Sequence, residues 1–389
     1  MDRKRLTLSG DRWFRLWDVW IVFVLALGFL LFATSGPAPA AAQPVLPAIS
    51  AQAYVLMDAA NGLTLAAKNA QQVRPPASLT KIATAMVALQ RARLDDVITV
   101  SVNAANTGGS RFGLSAGEQE QLWKFLYGLL FRSGNDAAVA IAESTAGSVP
   151  RFVNLMNQWA RSVGAVSTHF VNPDGLPAVG HYSTARDIAL MARAALANPI
   201  FARMVSGRAE TFTWDGHPRR VTNINQFVWD YPGAMGIKTG YTDSAGFCLA
   251  AAAERNGRLL IIVLLGEPSS AQRWADARTL TDYGFKNYPL LASRQLQSGP
   301  GGRAGTGSGA GATWTSPDAS VATAAAAPPG RGAAAGTVYV VRPGDTLWDI
   351  ARKFNVPLDR LTEVNGVASP DRIPVGRKLL IPTAEPPTG

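Results

Sequence analysis

The most reactive group that the sequence offers is a serine three residues before a lysine, in Ser78-Leu79-Thr80-Lys81. Two prolines precede this motif and an apolar run follows it, which predicts a helix that begins at about Ser78. Residues three apart share a helix face, so Lys81 can reach the Ser78 hydroxyl. A desolvated lysine favours the neutral amine, which can take the serine proton and create a nucleophile. The alternative is a helix-capping serine followed by an exposed lysine.

Two further motifs place a serine and an asparagine two residues apart. Ser101-Val102-Asn103 follows a strand-like run, whereas Ser133-Gly134-Asn135 lies between two helical stretches. A catalytic hydroxyl and amide need a short, fixed connection that directs both into a cleft. The helix–loop–helix context therefore favours residues 133–135, with an ordinary polar turn as the alternative.

A third motif, Lys238-Thr239-Gly240, lies on a predicted strand that leads into a hairpin. Gly240 allows another backbone to approach closely, and an extended peptide can pair along the edge of such a strand. Lys238 and Thr239 would then present a cation and a hydroxyl to a carboxylate. The alternative is a surface lysine on an edge strand.

Strands are predicted at both ends of the region that carries these motifs. Asn61-Gly62 and Asn256-Gly257 each separate two strand-like runs, and an Asn-Gly pair in that setting is a strong hairpin signal. Helical stretches lie between them, at residues 79–92, 122–131, 137–146 and 153–163. This order predicts an α/β fold of the α+β type, in which helices pack on an antiparallel sheet.

The composition divides the chain into four segments. Residues 1–42 combine basic residues, an apolar run and a small-residue end, which predicts a cleaved signal peptide, with an uncleaved membrane anchor as the alternative. Residues 44–289 form the predicted catalytic domain. Residues 290–336 are rich in Gly, Ala, Pro and Ser and predict a flexible linker, and residues 337–384 form a small module.

The net charge, the three histidines and the single cysteine limit which functions the sequence can support. The formal net charge of +10 suits an anionic partner such as a cell-wall polymer or membrane lipid, and no nucleic-acid motif accompanies it. His169, His181 and His217 lack metal-ligand spacing, so no metal or other cofactor is expected, and structural roles are expected for the first two. Cys248 lies in an apolar strand, which predicts core packing.

The three motifs occur in the order that is typical of β-lactamases and penicillin-binding proteins. Residues 168–176, 180–186 and 231–243 extend the likeness. Residues 53–285 thus resemble the serine D-alanyl-D-alanine carboxypeptidases, the low-molecular-mass penicillin-binding proteins. The resemblance implies a β-lactamase-like or transpeptidase-like fold, and hydrolysis that removes the terminal D-alanine from peptidoglycan stem pentapeptides through an acyl-enzyme.

The resemblance also implies a role for each motif residue. Ser78 would attack the peptide carbonyl, Lys81 would accept its proton, and Ser133 would relay a proton to the leaving amine. The residues that would hold the substrate amide, the terminal carboxylate and the oxyanion are Asn135, Lys238, Thr239, Gly240, Tyr241 and Arg273. The oxyanion donors would be the backbone N–H groups of Ser78 and Tyr241. A β-lactam would acylate Ser78 and leave slowly.

The C-terminal module, which contains Gly344-Asp345-Thr346-Leu347-Trp348, resembles a LysM domain. That resemblance implies a βααβ fold and binding of glycans such as peptidoglycan, whereas the alternative is a small domain that packs on the main one. A tethered glycan-binding module would raise the local concentration of substrate. The protein would be exported to the periplasm or cell wall, and membrane association would require an uncleaved N-terminal segment.

Two other functions stay open. One is a β-lactamase of the same fold, although the glutamate-bearing deacylation loop of class A enzymes is not evident and the second motif is Ser-Gly-Asn. The other is a non-catalytic peptidoglycan-binding protein, against which the intact Ser78, Lys81 and Lys238 argue. The expected partners are peptidoglycan and β-lactams, with no nucleic acid.

Overall fold

The computed structural model describes residues 45–298 and most of residues 336–382, with gaps at residues 343–344, 346, 355, 357 and 368–372. The predicted signal peptide at residues 1–42 and most of the predicted linker lie outside the described residues. The main domain and the C-terminal module each have an apolar core of their own.

A five-stranded antiparallel sheet lies at the centre of the main domain. The strands of this domain are, in chain order, β1 Ala53–Asp58, β2 Thr64–Lys68, β3 Val97–Thr99, β4 Gln119–Gln121, β5 Ala209–Trp214, β6 His217–Thr222, β7 Ala234–Thr242, β8 Gly246–Arg255 and β9 Arg258–Glu267. The central sheet has the order β2-β1-β9-β8-β7, and the remaining strands form two separate ribbons. The strand that carries the Lys-Thr-Gly motif, β7, is therefore an edge strand.

Both predicted Asn-Gly hairpins are confirmed. β1 pairs with β2, and β8 pairs with β9. Asn256 and Gly257 have φ angles of 53° and 72°, the left-handed conformation that a two-residue turn between twisted strands requires. Arg255 and Arg258 pair directly across this turn.

The sheet separates two apolar cores. Alternate residues of β9 contribute to them: Ile261, Val263 and Leu265 to the larger core, and Leu260, Ile262 and Leu264 to the smaller one. Successive side chains of a strand point to opposite faces, so a strand buried on both faces is apolar along its length. Cys248 is buried in the larger core, as its apolar surroundings predicted.

Helices cover both faces of the sheet. They are α1 Lys81–Arg91, α2 Val102–Ala105, α3 Leu122–Phe131, α4 Asn135–Ala146, α5 Val149–Ser162, α6 Ala185–Leu196, α7 Pro199–Ser206, α8 Phe227–Asp230 and α9 Ser270–Ser298. α3 has the predicted bounds, and the other predicted helices differ by a few residues at their starts. α5 begins before residue 153 because Ser148 caps it, with its hydroxyl accepting the N–H of Arg151. The predicted combination of helices and an antiparallel sheet is confirmed.

The last helix of the main domain extends into the predicted linker. α9 continues through Pro289 to Ser298, so residues 290–298 are helical. Leu291 is buried in the smaller core, and this apolar contact carries the helix past the composition change near residue 290.

Within the residues that the structure describes, no single helix is long and apolar enough to cross a membrane. α6 and α7 meet the length and hydropathy requirement only as a pair, and they are bent by 105°. Side chains of both helices, including Ile188, Met191 and Phe201, contribute to the larger core.

The C-terminal module has the predicted βααβ order. Its elements are β10 Gly336–Val340, α10 Leu347–Lys353, α11 Leu358–Val364 and β11 Lys378–Pro382. β10 pairs antiparallel with β11, and Leu347, Ile350 and Leu361 pack beneath the pair. Asn365 fixes the last strand, since its side-chain carbonyl accepts the N–H of Leu380 and its amide donates to the Leu380 carbonyl.

Candidate active site

Ser78 lies in a short 3-10 turn, Ala77–Thr80, that leads directly into α1. The predicted helix start is close to the observed one, but Ser78 is not a capping residue, because Pro76 occupies the N-cap position of the 3-10 turn and Thr80 that of α1. The Ser78 hydroxyl instead accepts a hydrogen bond of 2.9 Å from Lys81 Nζ. The expected proximity of the two side chains is confirmed.

Three acceptors surround Lys81 Nζ. They are Ser78 Oγ at 2.9 Å, Asn135 Oδ1 at 2.7 Å and the Asp174 carbonyl oxygen at 2.5 Å. An ammonium group can donate to all three acceptors, whereas a neutral amine has two hydrogens and a lone pair. If the two hydrogens bind Asn135 and Asp174, the lone pair faces Ser78. This arrangement suits an amine that accepts the serine proton.

Burial changes the proton affinity of Lys81, whose exposed fraction is 0%. Desolvation lowers the pKa of Lys81 to about 7, although the nearby Asp174 and Asp136 act to raise it. A substantial fraction of Lys81 is therefore neutral near pH 7 before any substrate binds. The alternative of an exposed lysine after a capping serine is excluded.

Ser133 and Asn135 lie where α3 passes into α4; Asn135 contacts Lys81, whereas Ser133 contacts Lys238. Ser133 is held in a left-handed conformation with φ of 58°, and its hydroxyl accepts a 3.0 Å hydrogen bond from Lys238 Nζ. Asn135 is the first residue of α4, and its amide nitrogen donates to the Gly108 carbonyl at 2.7 Å. The Ser133 hydroxyl and the Asn135 side-chain amide are thus held in place by a short connection, as predicted.

Asp136 holds this loop in place. Its buried carboxylate accepts the backbone N–H groups of Phe112, Gly113 and Leu114 at 2.7, 2.8 and 3.1 Å. Gly134 packs against Phe112, and a Cβ at that glycine would lie 2.8 Å from Phe112 Cβ. These hydrogen bonds and this packing contact hold residues 112–114 against residues 133–136.

The other Ser-x-Asn motif has a different use. Ser101 caps α2 and accepts the Ala104 N–H at 2.9 Å. Both Ser101 and Asn103 also donate to the carboxylate of Glu143. The structure therefore brings Asn135 to Lys81 and Ser133 to Lys238, whereas Ser101 and Asn103 contact Glu143.

Lys238 is buried in β7 with an exposed fraction of 1%, which excludes a surface lysine. Besides Ser133, its Nζ donates to the Thr239 carbonyl at 3.0 Å. Burial lowers the pKa of Lys238 well below its usual value, and the positive charges of Lys81 and Arg273 lower it further. Two buried lysines thus lie near each other, and each donates a hydrogen bond to one of the two serine hydroxyls.

Two glycines allow the backbone of the Ser78 turn to be enclosed. A Cβ at Gly240 would lie 3.1 Å from the Ser78 nitrogen, and a Cβ at Gly175 would lie 2.0 Å from the Ala77 carbonyl oxygen. β7 therefore contacts one side of the turn. This agrees with the prediction that Gly240 allows another backbone segment to approach closely. The loop at residues 172–176 contacts the other side.

Tyr241 and Arg273 flank the end of β7. The Tyr241 ring is 51% exposed, lies 4.4 Å from the Phe247 ring, and its hydroxyl donates to Asp243. Arg273 is buried, and its Nη1 lies 3.4 Å from the Gly240 carbonyl oxygen. Burial lowers the pKa of Arg273 to about 10. Arg273 is thus placed behind the backbone of the motif rather than on an open surface.

Several residues that shape the site were not predicted from the sequence. The Asp174 carbonyl, the Asp136 carboxylate and the Gly175 contact all depend on packing between distant segments. The turn sequence Asn172-Pro173-Asp174-Gly175 is the one local signal, because Gly175 adopts a φ of 88° that glycine accommodates easily.

The sequence of the main domain matches a known family. The family model described as D-alanyl-D-alanine carboxypeptidase, Peptidase_S11, matches residues 38–269, which is more than half of the chain. The chain belongs to this carboxypeptidase family. The LysM domain model matches residues 339–382.

Individual members of the carboxypeptidase family show the same likeness. D-alanyl-D-alanine carboxypeptidase DacF of Bacillus subtilis is 34% identical over 255 residues, which cover 63% of this chain and 65% of DacF. D-alanyl-D-alanine carboxypeptidase DacA of Escherichia coli K12 is 36% identical, with 66% of this chain and 67% of DacA covered. The chain thus spans about two thirds of the length of these curated relatives.

Solved structures of the family have the same fold. A D-alanyl-D-alanine carboxypeptidase of Mycobacterium tuberculosis H37Rv superposes with a TM-score of 0.61 at 34% identity, and covers 63% of this chain and 95% of its own. The Streptomyces K15 DD-transpeptidase gives a TM-score of 0.59 at 33% identity, and covers 62% of this chain and 99% of its own. The predicted penicillin-binding-protein fold is therefore confirmed.

Proposed function

We propose that this chain is a serine-type D-alanyl-D-alanine carboxypeptidase that removes the terminal D-alanine from peptidoglycan stem pentapeptides. The observation that carries the proposal is the environment of Lys81 Nζ, which lies within hydrogen-bond distance of Ser78 Oγ, Asn135 Oδ1 and the Asp174 carbonyl. Membership of the carboxypeptidase family supports the choice of substrate class.

Acylation begins with proton transfer from Ser78 to neutral Lys81. Ser78 Oγ then forms a bond with the carbonyl carbon between the two terminal D-alanines, and the carbonyl electrons move onto its oxygen. The backbone N–H groups of Ser78 and Tyr241 bind this oxyanion. The close approach of Gly240 to the Ser78 nitrogen supports this assignment, because it places the β7 backbone beside the nucleophile turn.

Departure of D-alanine requires a proton at the leaving amine. Ser133 is the relay, because its hydroxyl is bound to Lys238 Nζ, and Asn135, two residues further on, is bound to Lys81 Nζ. The carbon–nitrogen bond breaks as the amine receives this proton, and the acyl group remains on Ser78. Water then attacks the ester, with Lys81 again accepting a proton, and the shortened peptide leaves.

Substrate orientation comes from groups at the edge of β7. Lys238 and Thr239 hold the terminal carboxylate, and Arg273 adds positive charge from behind the strand. Asn135 holds the substrate amide, with its side chain already fixed between Lys81 and the Gly108 carbonyl. The edge position of β7 leaves backbone groups for pairing with an extended peptide.

The proposed partners are peptidoglycan and, as covalent inhibitors of Ser78, β-lactams. Stem peptides bind at the main domain, and glycan binds at the LysM domain. This substrate places the protein in the cell envelope, as an exported protein of the periplasm or cell wall whose residues 1–42 direct export.

The test measures D-alanine release from a peptide that ends in D-Ala-D-Ala, using residues 43–389 and three variants. Ser78→Ala and Ser133→Ala are expected to lose release, whereas the control Ser101→Ala changes the other Ser-x-Asn serine and retains it. Release by Ser78→Ala would disprove the assignment of the nucleophile. Rapid turnover of a β-lactam without D-alanine release would instead favour the β-lactamase alternative.

A further inference from the structure

We propose that Thr80 and His181 form a hydrogen-bond chain that orients the Ser78 backbone N–H, which makes His181 a positioning residue for the oxyanion hole. Thr80 lies within the first motif but is not one of its reacting groups, and His181 lies outside all three motifs. The inference rests on the proposed function, because the Ser78 N–H is an oxyanion donor only in an acyl-transfer enzyme.

The direction of each hydrogen bond in this chain is fixed by its neighbour. Thr80 Oγ1 lies 2.8 Å from the Ala77 carbonyl oxygen, and since a carbonyl only accepts, the single hydroxyl hydrogen points there. Thr80 Oγ1 must then accept from His181 Nε2, which lies at 2.9 Å. His181 Nδ1 is consequently unprotonated, and it accepts the Val171 N–H at 3.0 Å. Only the neutral Nε2–H tautomer of His181 satisfies all three bonds.

The surroundings of these hydrogen bonds keep His181 in the neutral Nε2–H tautomer. Thr80 is 0% exposed and His181 is 7% exposed, so water does not compete effectively for these groups. Burial lowers the pKa of His181 to about 4, and the nearby His169 and Lys81 lower it further. The imidazole is therefore uncharged at neutral pH, and its two ring nitrogens keep distinct roles.

The hydrogen-bond chain from His181 through Thr80 ends at the peptide group between Ala77 and Ser78. In a planar trans peptide, the Ala77 carbonyl and the Ser78 N–H point in opposite directions, so the orientation of one fixes the other. Ala77 has a φ of 48°, a left-handed conformation that an alanine rarely adopts. The Thr80 hydroxyl is a hydrogen-bond donor that holds this carbonyl, and hence this peptide plane.

His181 also connects the turn to the loop that supports Lys81. Val171, whose N–H it accepts, leads into residues 172–176, which contribute the Asp174 carbonyl to Lys81 and the Pro173 carbonyl to Thr84 Oγ1. One imidazole thus joins the segment with the oxyanion donor to the segment that binds the base.

The experiment measures acylation of residues 43–389 by a chromogenic β-lactam, with the acylation rate constant and the noncovalent dissociation constant determined separately. Two variants break the chain: Thr80→Val and His181→Phe. Two matched variants preserve it: Thr80→Ser keeps the hydroxyl, and His181→Gln keeps one donor and one acceptor. Thermal unfolding of each variant is recorded alongside.

Both chain-breaking variants are expected to lower the acylation rate constant by about tenfold, less than the roughly 10²–10³-fold cost of removing an oxyanion donor altogether. The noncovalent dissociation constant is expected to stay within about twofold, because the oxyanion forms only after attack. The double variant is expected to be no slower than the slower single variant, since both substitutions break one chain. Thr80→Ser and His181→Gln are expected to acylate at nearly the wild-type rate.

The inference is overturned if the chain-breaking variants acylate at the wild-type rate, or if their effects multiply in the double variant. It is also overturned if the loss appears in the dissociation constant and not in the rate constant. A wild-type chain that is neither acylated nor releases D-alanine would overturn the proposed function, and this inference with it. The wild-type measurement therefore separates the two failures.

Discussion

Two buried lysines set the chemistry of this site at the scale of single residues. Lys81 and Lys238 are almost completely removed from water, and each binds a serine hydroxyl. Burial disfavours the ammonium form, so the pKa values of both groups lie below that of a free lysine. No cofactor is needed to generate an amine base in such a site.

The pH dependence of acylation follows from the pKa of Lys81. Because this pKa is lowered to about 7, the neutral base is scarce below pH 7 and predominant above it. The acylation rate constant is expected to rise with pH and to level off near pH 8, with about a tenth of the plateau value at pH 6. The measurement is the rate constant of β-lactam acylation from about pH 5 to about pH 9.

Lys81→Arg provides the matched variant, since a guanidinium stays protonated throughout this range. It is expected to lose roughly 10²–10⁴-fold in acylation and to show no rise with pH. Lys286→Arg makes the same exchange at an exposed position and is the control. A wild-type profile that is flat between pH 6 and 8 would contradict a base role for Lys81.

Asp136 contributes to stability by accepting hydrogen bonds from four backbone N–H groups, those of Phe112, Gly113, Leu114 and Ala137. Asp136→Asn keeps the shape but turns one acceptor into a donor, which would face N–H groups and leave at least one unsatisfied. The free energy of unfolding is expected to fall by about 1–3 kcal/mol in urea denaturation. Asp215→Asn, at an exposed turn, is the control and should change the free energy of unfolding little. Equal stability of the two variants would contradict a stabilising role for the Asp136 hydrogen bonds.

The elements around Ser78 leave no room for a side chain at Gly175 and little room for one at Gly240. The 3-10 turn lies between β7 and the loop at residues 172–176, and each of them contributes a glycine at the contact. The sheet and the loop thereby fix the turn from two directions, which a helix terminus alone could not do.

Adding a methyl group at these two positions is expected to have graded effects. Gly175→Ala would place a Cβ 2.0 Å from the Ala77 carbonyl oxygen at a φ of 88°, whereas Gly240→Ala would place one 3.1 Å from the Ser78 nitrogen. Gly175→Ala should therefore lose at least about 2 kcal/mol of stability together with acylation. Gly240→Ala should keep its unfolding temperature and lose acylation. Thermal unfolding and β-lactam acylation of both variants test this order, and the reverse order would contradict it.

The whole molecule combines a domain of the carboxypeptidase family with a LysM domain. The two regions have their own apolar cores, and the predicted linker at residues 290–336 connects them in the sequence. A tether of this kind would raise the local concentration of substrate without changing the active site.

Removal of the LysM domain is therefore expected to affect only wall-bound substrate. Residues 43–298 should release D-alanine from a soluble peptide at the rate of residues 43–389, but about tenfold more slowly from intact peptidoglycan sacculi. Adding the LysM domain as a separate chain should not restore the rate, because the tether is missing. Equal rates on sacculi would show that the LysM domain does not concentrate this substrate.

The sequence by itself determined the motifs, the two Asn-Gly hairpins and the main helices, because each depends on residues close together in the chain. Its local context favoured Ser133-Gly134-Asn135 over Ser101-Val102-Asn103, but it could not show that Asn135 reaches Lys81, which is 54 residues away in the chain. It also missed the extension of α9, which depends on the burial of Leu291 against a distant sheet.

The tertiary structure alone decided the state of the reacting groups. The pKa of Lys81 follows from its complete burial, and the carbonyl that binds it comes from Asp174, 93 residues along the chain. The same holds for the bond between Thr80 and His181, which are 101 residues apart. Sequence spacing encodes which side chains share a helix or strand, whereas desolvation and long-range hydrogen bonds exist only after the chain has packed.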